Sequence, residues 1–266
     1  MTVRIEKSGP VTTVIHSRPE VRNAMDPSSA DALVDAFLAF DADPEASVAV
    51  FWGEGGAFCA GWDLKFASSL AGKTNPLAAL DFTAGEQALP RGPMGPSRLQ
   101  LSKPVIAAVA GPAVAGGFEL ALWCDLRVME ESAYFGVYCR RWGIPLIDGG
   151  TVRLPRLVGQ GRALDIILTG RKVGSTEALQ IGACERVVPD GQSRAAAEAL
   201  AQEIARFPQG CMRADRQSVY AQHGLPLREA LQSEWQISAP LVAAEGVAGA
   251  QRFSDGRGRH GDFESI

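Results

Sequence analysis

The sequence predicts an α/β fold with a C-terminal helical subdomain, and three observations carry that prediction. Two apolar strands, Ser47–Trp52 and Val105–Val109, each run into a glycine-rich loop that opens a helix. Strand-like and helical segments then alternate, as they do where crossover helices join parallel strands. Beyond Gly161, apolar residues recur at i, i+3 and i+4 through Ala163–Leu168, Thr176–Ile181, Arg194–Phe207 and Leu227–Phe253, a helical period. The expected division is an α/β core over residues 1–195 and a helical subdomain over residues 196–266.

The elements follow in order. Val3–Glu6 and Val11–Ile15 are β-rich runs separated by Ser8-Gly9-Pro10, which reads as a hairpin. Asp26 can cap and Pro27 can open a helix that carries Leu33, Val34, Phe37 and Leu38 at helical spacing, so the first unit is ββα. The first apolar strand empties into Gly53–Leu64 and the second into Gly111–Leu122. Leu126–Met129 and Tyr134–Gly136 read as further short strands. Between the two loops, Ala67–Gln100 has weak periodicity and four prolines, Pro76, Pro90, Pro93 and Pro96, and is expected to be a mobile excursion suited to a lid.

Composition narrows the functional classes. With 266 residues, 46% apolar and 21% charged, the chain is neither disordered nor fibrous. Lys+Arg 26 against Asp+Glu 30 leaves a net charge of −4, which speaks against a nucleic-acid partner. Arg4, Glu6 and Lys7 stand where a secretory signal would need its apolar core, so a cytoplasmic location is expected. Five cysteines without a CxxC pair read as reduced thiols. Pro104–Cys124 imitates a membrane span, yet Glu119 would cost about 2.5–3.5 kcal/mol at the bilayer centre. Pro104, Gly111, Pro112, Gly116 and Gly117 also interrupt any continuous helix, so no membrane partner is expected.

A strand–glycine–helix loop frees backbone N–H groups where the helix dipole favours an anion. Two such loops, at Ala60-Gly61 and Gly116-Gly117, can converge on one oxygen and stabilise an enolate or a tetrahedral oxyanion. Equally, they are two tight turns that need glycine for positive φ or close packing. No dinucleotide, P-loop or nucleophile-elbow motif occurs. His16, His223 and His260 have no ligand-type neighbours, so no metal site and no cofactor is expected.

Together the motifs resemble the enoyl-CoA hydratase/isomerase (crotonase) superfamily. The resemblance runs through His16-Ser17-Arg18-Pro19-Glu20, Asn23-Ala24-Met25, Ala57–Leu64, Lys103–Gly111, Gly116–Ala121, Gly149-Gly150-Thr151, Leu168–Arg171 and Val187-Val188-Pro189, in order along the whole chain. It implies a crotonase-like spiral of repeated ββα units, with C-terminal helices building a homotrimer or hexamer. It also implies an acyl-CoA thioester substrate. Carried over by position, the N–H groups of Ala60 and Gly116 would form the oxyanion hole, and Ala60, Gly61, Trp62, Asp63, Leu64 and Gly117 would line the coenzyme A path. The strings Trp62-Asp63-Leu64 and Gly117–Leu120 are especially similar to carnitinyl-CoA dehydratase-like members of that superfamily.

Hydration needs one group to activate water and another to protonate the α-carbon, and the resemblance implies two glutamates for this. Glu119 matches the first, whereas Phe135-Gly136-Val137-Tyr138-Cys139 puts Cys139 where the second would stand. A thiol has a reference pKa of about 8.5 against about 4.3 for glutamate, so Cys139 is either a weak acid or a small side chain that fills the carboxylate's space. Asp148 can divide the proton work with Glu119, or it can cap the helix after Gly149-Gly150. Arg140 and Arg141 beside Trp142 can clamp a phosphate, pair across a subunit interface or lie solvated, and the tail with Arg252, Arg257, Arg259 and His260 can meet coenzyme A phosphates or be disordered. The expected activity is enoyl-CoA hydration, with double-bond isomerisation or acyl-CoA binding without turnover as the alternatives.

Overall fold

The structure, a computed structural model, describes residues 2–82 and 89–263. The hairpin is present: β1 (Val3–Ser8) pairs antiparallel with β2 (Val11–His16). The helix α1 (Pro27–Ala42) begins as its sequence predicts, with Pro27 in the first turn and the Asp26 carboxylate accepting the Ser29 N–H at 2.8 Å. There follow β3 (Val48–Gly53), α2 (Leu64–Ser68), β4 (Val105–Val109), β5 (Pro112–Val114), α3 (Gly116–Trp123), β6 (Leu126–Glu130) and β7 (Tyr134–Gly136). Next come α4 (Gly150–Val158), α5 (Gln160–Thr169), β8 (Lys172–Gly174), α6 (Ser175–Ile181) and β9 (Arg186–Val188). The chain ends in α7 (Ser193–Ala205), α8 (Gln209–Ala221), α9 (Leu227–Leu241) and α10 (Val247–Ser254).

Six strands form the main sheet in the order β1-β2-β3-β4-β6-β9, parallel throughout except for the β1–β2 hairpin. A smaller sheet, β5-β7-β8, lies beyond the ends of β4 and β6. Alternate residues of one strand point to opposite faces. In β3, Ala49 and Phe51 enter the core shared with α1 and α3, while Val48 and Val50 turn to the other face. There, Val11, Ile106, Ala108 and Val128 join them beneath Ala197, Leu200 and Ala201 of α7. Because both faces are covered, the strands read as continuous apolar runs instead of an alternation.

The expected boundary at residue 195 therefore falls inside α7, a helix that belongs to the sheet. The outer helical layer begins with α8, which is latched to the core by Arg216 and Tyr220, each 2.7 Å from Asp125 Oδ1. The single helix expected over Leu227–Phe253 is interrupted after Pro240, which has no N–H for the i→i−4 ladder. A π-helical turn at Val242–Gly246 separates α9 from α10. These two helices leave apolar side chains bare, with Leu227 77% and Trp235 73% exposed.

The Ala67–Gln100 excursion divides into unlike parts. Residues 67–82 lie mostly exposed, with one short 3-10 turn at Ala78–Leu80, and residues 83–88 lie outside the described residues. Met94, Gly95, Pro96 and Ser97 are buried instead, and Gly92 and Gly95 exchange backbone hydrogen bonds at 3.0 and 2.9 Å. This part of the expected excursion is a packed wall. Its closed Gly92–Gly95 turn left no helical or strand period to read. Among the described residues no helix is long and apolar enough to cross a membrane.

His16 closes β2 with no exposure and, among the described residues, no partner for either ring nitrogen. Burial, helped by the Arg18 charge and opposed by Asp26, holds its pKa near 4 against an ordinary 6.5. The folded state thus keeps His16 neutral, while an unfolded chain takes up a proton below pH 6.5. The stability this represents is complete above pH 6.5 and falls by about 3 kcal/mol as pH drops toward 4. Urea midpoints of wild type and His16→Gln across this window should show a steeper acid loss in the wild type. Parallel slopes would show that His16 is not the group responsible.

Candidate active site

The two glycine loops are joined backbone to backbone. Phe58 N–H donates to the Ala110 carbonyl at 2.8 Å, Cys59 N–H to Pro112 at 3.1 Å, and Val114 N–H to Cys59 at 3.0 Å. A Cβ at Gly117 would collide with the Cys59 carbonyl, and one at Gly61, whose φ is +92°, would lie 2.8 Å from Ala115 Cβ. Asn23 supports the first loop from behind. Its Oδ1 accepts Arg18 N–H at 2.7 Å, and its Nδ2 donates to the Glu54 and Ala57 carbonyls at 2.9 and 2.7 Å.

This geometry corrects one expectation. The Ala60 N–H donates to the Arg22 carbonyl at 3.0 Å and is not free to serve a ligand. Next along the chain, Met25 N–H donates to Gly61 O and Asp63 N–H to Met25 O, both at 2.8 Å, so this edge of the loop pairs with Met25. Trp62 lies between those bonds, and among the described residues its N–H has no protein acceptor. Gly116 is the first residue of α3, where N–H groups have no intrahelical partner. The preceding Ala115 is held at φ 54° and ψ −125°, a strained conformation for a residue with a side chain. Trp62 and Gly116 therefore offer one donor from each loop. A bare motif match does not distinguish alternate residues of a paired loop, because the pairing with Arg22 and Met25 settles which N–H faces away.

A cavity of about 400 Å³ opens beside these donors. Ala60, Trp62, Leu64, Met94, Gly116, Glu119, Cys139 and Asp148 are on its wall, together with Arg22, Tyr138, Arg141 and Trp142. Gly61 and Gly117 act through close packing, and Asp63 turns away: its Oδ1 caps α2 at Lys65 and Phe66, and its Oδ2 lies 3.1 Å from Arg18. The basic tail is not part of the cavity wall, and Arg259 donates to the Phe253 and Ser254 carbonyls. Sequence reasoning missed Met94 and Ser97, which lie in the stretch expected to be mobile.

Glu119, on the first turn of α3, is 3% exposed. Its Oε1 accepts the Asp148 and Gly150 N–H groups at 2.9 and 2.8 Å. Burial first, then the neighbouring Asp148 charge, push its pKa up to about 7, where a carboxyl group can both give and take a proton. Asp148 does not cap α4, because the cap position is Gly149 and makes no side-chain bond. Its Oδ1 instead accepts Met94 N–H at 2.9 Å and the Ser97 hydroxyl. Burial raises Asp148 as well. Cys139 sits in a 3-10 turn, Tyr138–Trp142, with its thiol raised by burial and then by the Glu119 charge, so it stays protonated. Among the described residues, no cluster of three or more His, Cys, Asp or Glu side chains is arranged to hold a metal.

Residues 6–260 match the sequence model of the family described as enoyl-CoA hydratase/isomerase. The chain belongs to that family. It is 34% identical over 261 residues to enoyl-CoA hydratase EchA19 of Mycobacterium tuberculosis, covering 95% of this chain and 93% of the other. To a carnitinyl-CoA dehydratase of Salmonella enteritidis it is 35% identical over 230 residues, covering 86% and 84%. In structure it is similar to enoyl-CoA hydratase EchA1 of Mycobacterium marinum, with TM-score 0.85, 31% identity and 96% of each chain covered. An enoyl-CoA hydratase of Bacillus anthracis gives TM-score 0.84 at 29% identity over 97% of each chain. The fold is thus the crotonase fold, and the protein is an enzyme of the enoyl-CoA hydratase/isomerase family.

The Asn23 bonds give a direct test of how the first loop is held. Asn23→Ala removes three hydrogen bonds at a fully buried position with φ 56°, and should cost about 3 kcal/mol of stability. Thermal or urea denaturation measures this; a change within experimental error would mean that the loop holds itself.

Proposed function

We propose that the protein acts on an acyl-CoA by forming a thioester enolate. The thioester oxygen takes the Trp62 and Gly116 N–H groups, and Glu119 exchanges the proton at the α-carbon. The observation that carries this reading is the meeting, on one cavity wall, of two backbone donors that have no acceptor among the described residues and a buried carboxyl group near neutrality. In hydration of a 2-enoyl-CoA, the oxygen of water bonds the β-carbon, its proton passes to a base, and Glu119 delivers a proton to the α-carbon. Cys139 is a poor base for this step because its thiol is desolvated. Asp148, on the same wall, takes the part of the second carboxylate.

Asp148 also supports a second reading, double-bond isomerisation. A proton removed at one end of an allylic system and returned at the other can be divided between two carboxyl groups and needs no bound water. Product analysis separates the two: incubation with short, branched and aromatic 2-enoyl- and 3-enoyl-CoA esters should give either the mass of added water or an isomer of equal mass. A product of neither kind across the panel, with no deuterium entering the α-carbon in heavy water, overturns enolate chemistry.

Rate profiles should bend near pH 7, the value at which Glu119 is poised. Glu119→Gln keeps the shape but cannot exchange a proton, so it should lower turnover by about 10³-fold and remove that inflection. Cys139→Ala should change the native rate little, and Cys139→Glu should raise hydration of but-2-enoyl-CoA. A Cys139→Ala variant as inactive as Glu119→Gln would place the thiol in the mechanism.

We also propose that copies of the chain cover the bare faces of α9 and α10 in a homotrimer or a pair of trimers. Light scattering should return a multiple of three protomers, and a monomer at micromolar concentration excludes it.

A further inference from the structure

Residues 92–97 and 148–153 face each other beside the cavity, joined by three bonds and braced by a fourth within the second stretch. Asp148 Oδ1 accepts the Met94 N–H at 2.9 Å and the Ser97 hydroxyl proton. From the other side, Arg153 Nη1 donates to the Asp148 carbonyl at 2.9 Å and Nη2 to the Ser97 carbonyl at 2.7 Å. There is no slack, since a Cβ at Gly92 would run into Ser97 Oγ and lie 2.7 Å from Asp148 Oδ1. The same turn holds Glu119, because the Asp148 N–H donates to Glu119 Oε1. One short connection thus fixes both carboxyl groups.

Charge decides what this arrangement does. Two buried carboxyl groups share the field of Arg153, which among the described residues makes no ion pair of its own and donates only to carbonyls. Away from water, two neighbouring carboxylates repel each other, and a single proton on the pair removes that repulsion. Its location follows from the neighbours. Glu119 faces Asp148, Arg153 and the neutral thiol of Cys139. Asp148 faces Arg98 and Arg153 and has the Ser97 hydroxyl as a side-chain donor. The second cation and the hydroxyl both favour the ionised form of Asp148.

We infer that Ser97 and Arg153 are positioning residues that divide one proton between the pair, keeping Asp148 as the resting base and Glu119 as the resting acid. This rests on Asp148 being the second proton carrier. During turnover Asp148 gains the proton that water or the allylic carbon loses, Glu119 gives up its own to carbon, and a return transfer from Asp148 to Glu119 resets the site.

Infrared difference spectroscopy of the protonated carboxyl stretch tests the assignment without any substrate. At about pH 6 the wild type should show a buried protonated carboxyl band that is lost in Glu119→Gln and kept in Asp148→Asn. Ser97→Ala should add protonated Asp148 and move the acid limb of kcat for but-2-enoyl-CoA up by about one pH unit, with KM within about twofold. Ser97→Thr, which keeps the hydroxyl, should restore the limb. Arg153→Gln should raise both carboxyl titrations, and Arg153→Lys should restore the charge effect. A band that vanishes in Asp148→Asn and survives in Glu119→Gln overturns the inference. So does an unmoved acid limb in folded Ser97→Ala when Asp148→Asn is inactive. An Asp148→Asn variant with wild-type turnover instead refutes the reading of Asp148 as a proton carrier, and the inference with it. If Ser97→Ala does not fold, the two Arg153 variants decide, and titrations unchanged in both overturn it.

Discussion

Everything at the site depends on how closely two stretches of backbone approach where β3 and β4 end. The loop after β3 continues as an extra parallel partner of the chain after β4, with Cys59 opposite Ala113. Helix α3 can start there only because Gly117 has no side chain to meet the Cys59 carbonyl. This approach sets the separation of Trp62 from Gly116, and it aims the first turn of α3, with Glu119, at the space between them. Strain at Ala115 is tolerated because bonds on both sides hold it, including its N–H to the Gly136 carbonyl at 2.8 Å.

From that constraint follows the electrostatics. Helix α3 brings a carboxyl group into a place almost without water, where its charged form is costly. Backbone N–H groups from Asp148 and Gly150 offset part of this, and the second carboxyl group adds to it. The outcome is a group balanced between its two forms. A carboxylate in full contact with solvent, at an ordinary pKa near 4.3, would be nearly always ionised at neutral pH and a weak proton donor.

Much of this was legible in the sequence, for stated reasons. Buried strands followed by glycines are local signals, so both loops, α1 with its Asp26 cap, and Glu119 on α3 were readable directly. The choice between Ala60 and Trp62 as a donor was not, because it depends on which N–H pairs with Arg22, nearly forty residues earlier. The packing of Met94 and Ser97 against Asp148 joins segments about fifty residues apart and leaves no periodic trace. Asp148 was recognised, but its capping role was local reasoning that the contact with Ser97 displaces. Residue 195 falls inside α7 for a similar reason, since the pattern of α7 says helix without saying what it covers.

That last helix has a consequence for how the protein is made. The lower face of β2, β3, β4 and β6 is sealed by Ala197, Leu200 and Ala201, and Thr13 on β2 hydrogen-bonds Glu198, 185 residues downstream. As the chain leaves the ribosome, the whole sheet can be synthesised while one apolar side of it still has no cover. Such contacts between distant segments slow folding and prolong the exposure of aggregation-prone surface. A nascent chain that stalls before residue 193 presents a bare row of valines with one isoleucine and one alanine, the kind of surface that chaperones bind.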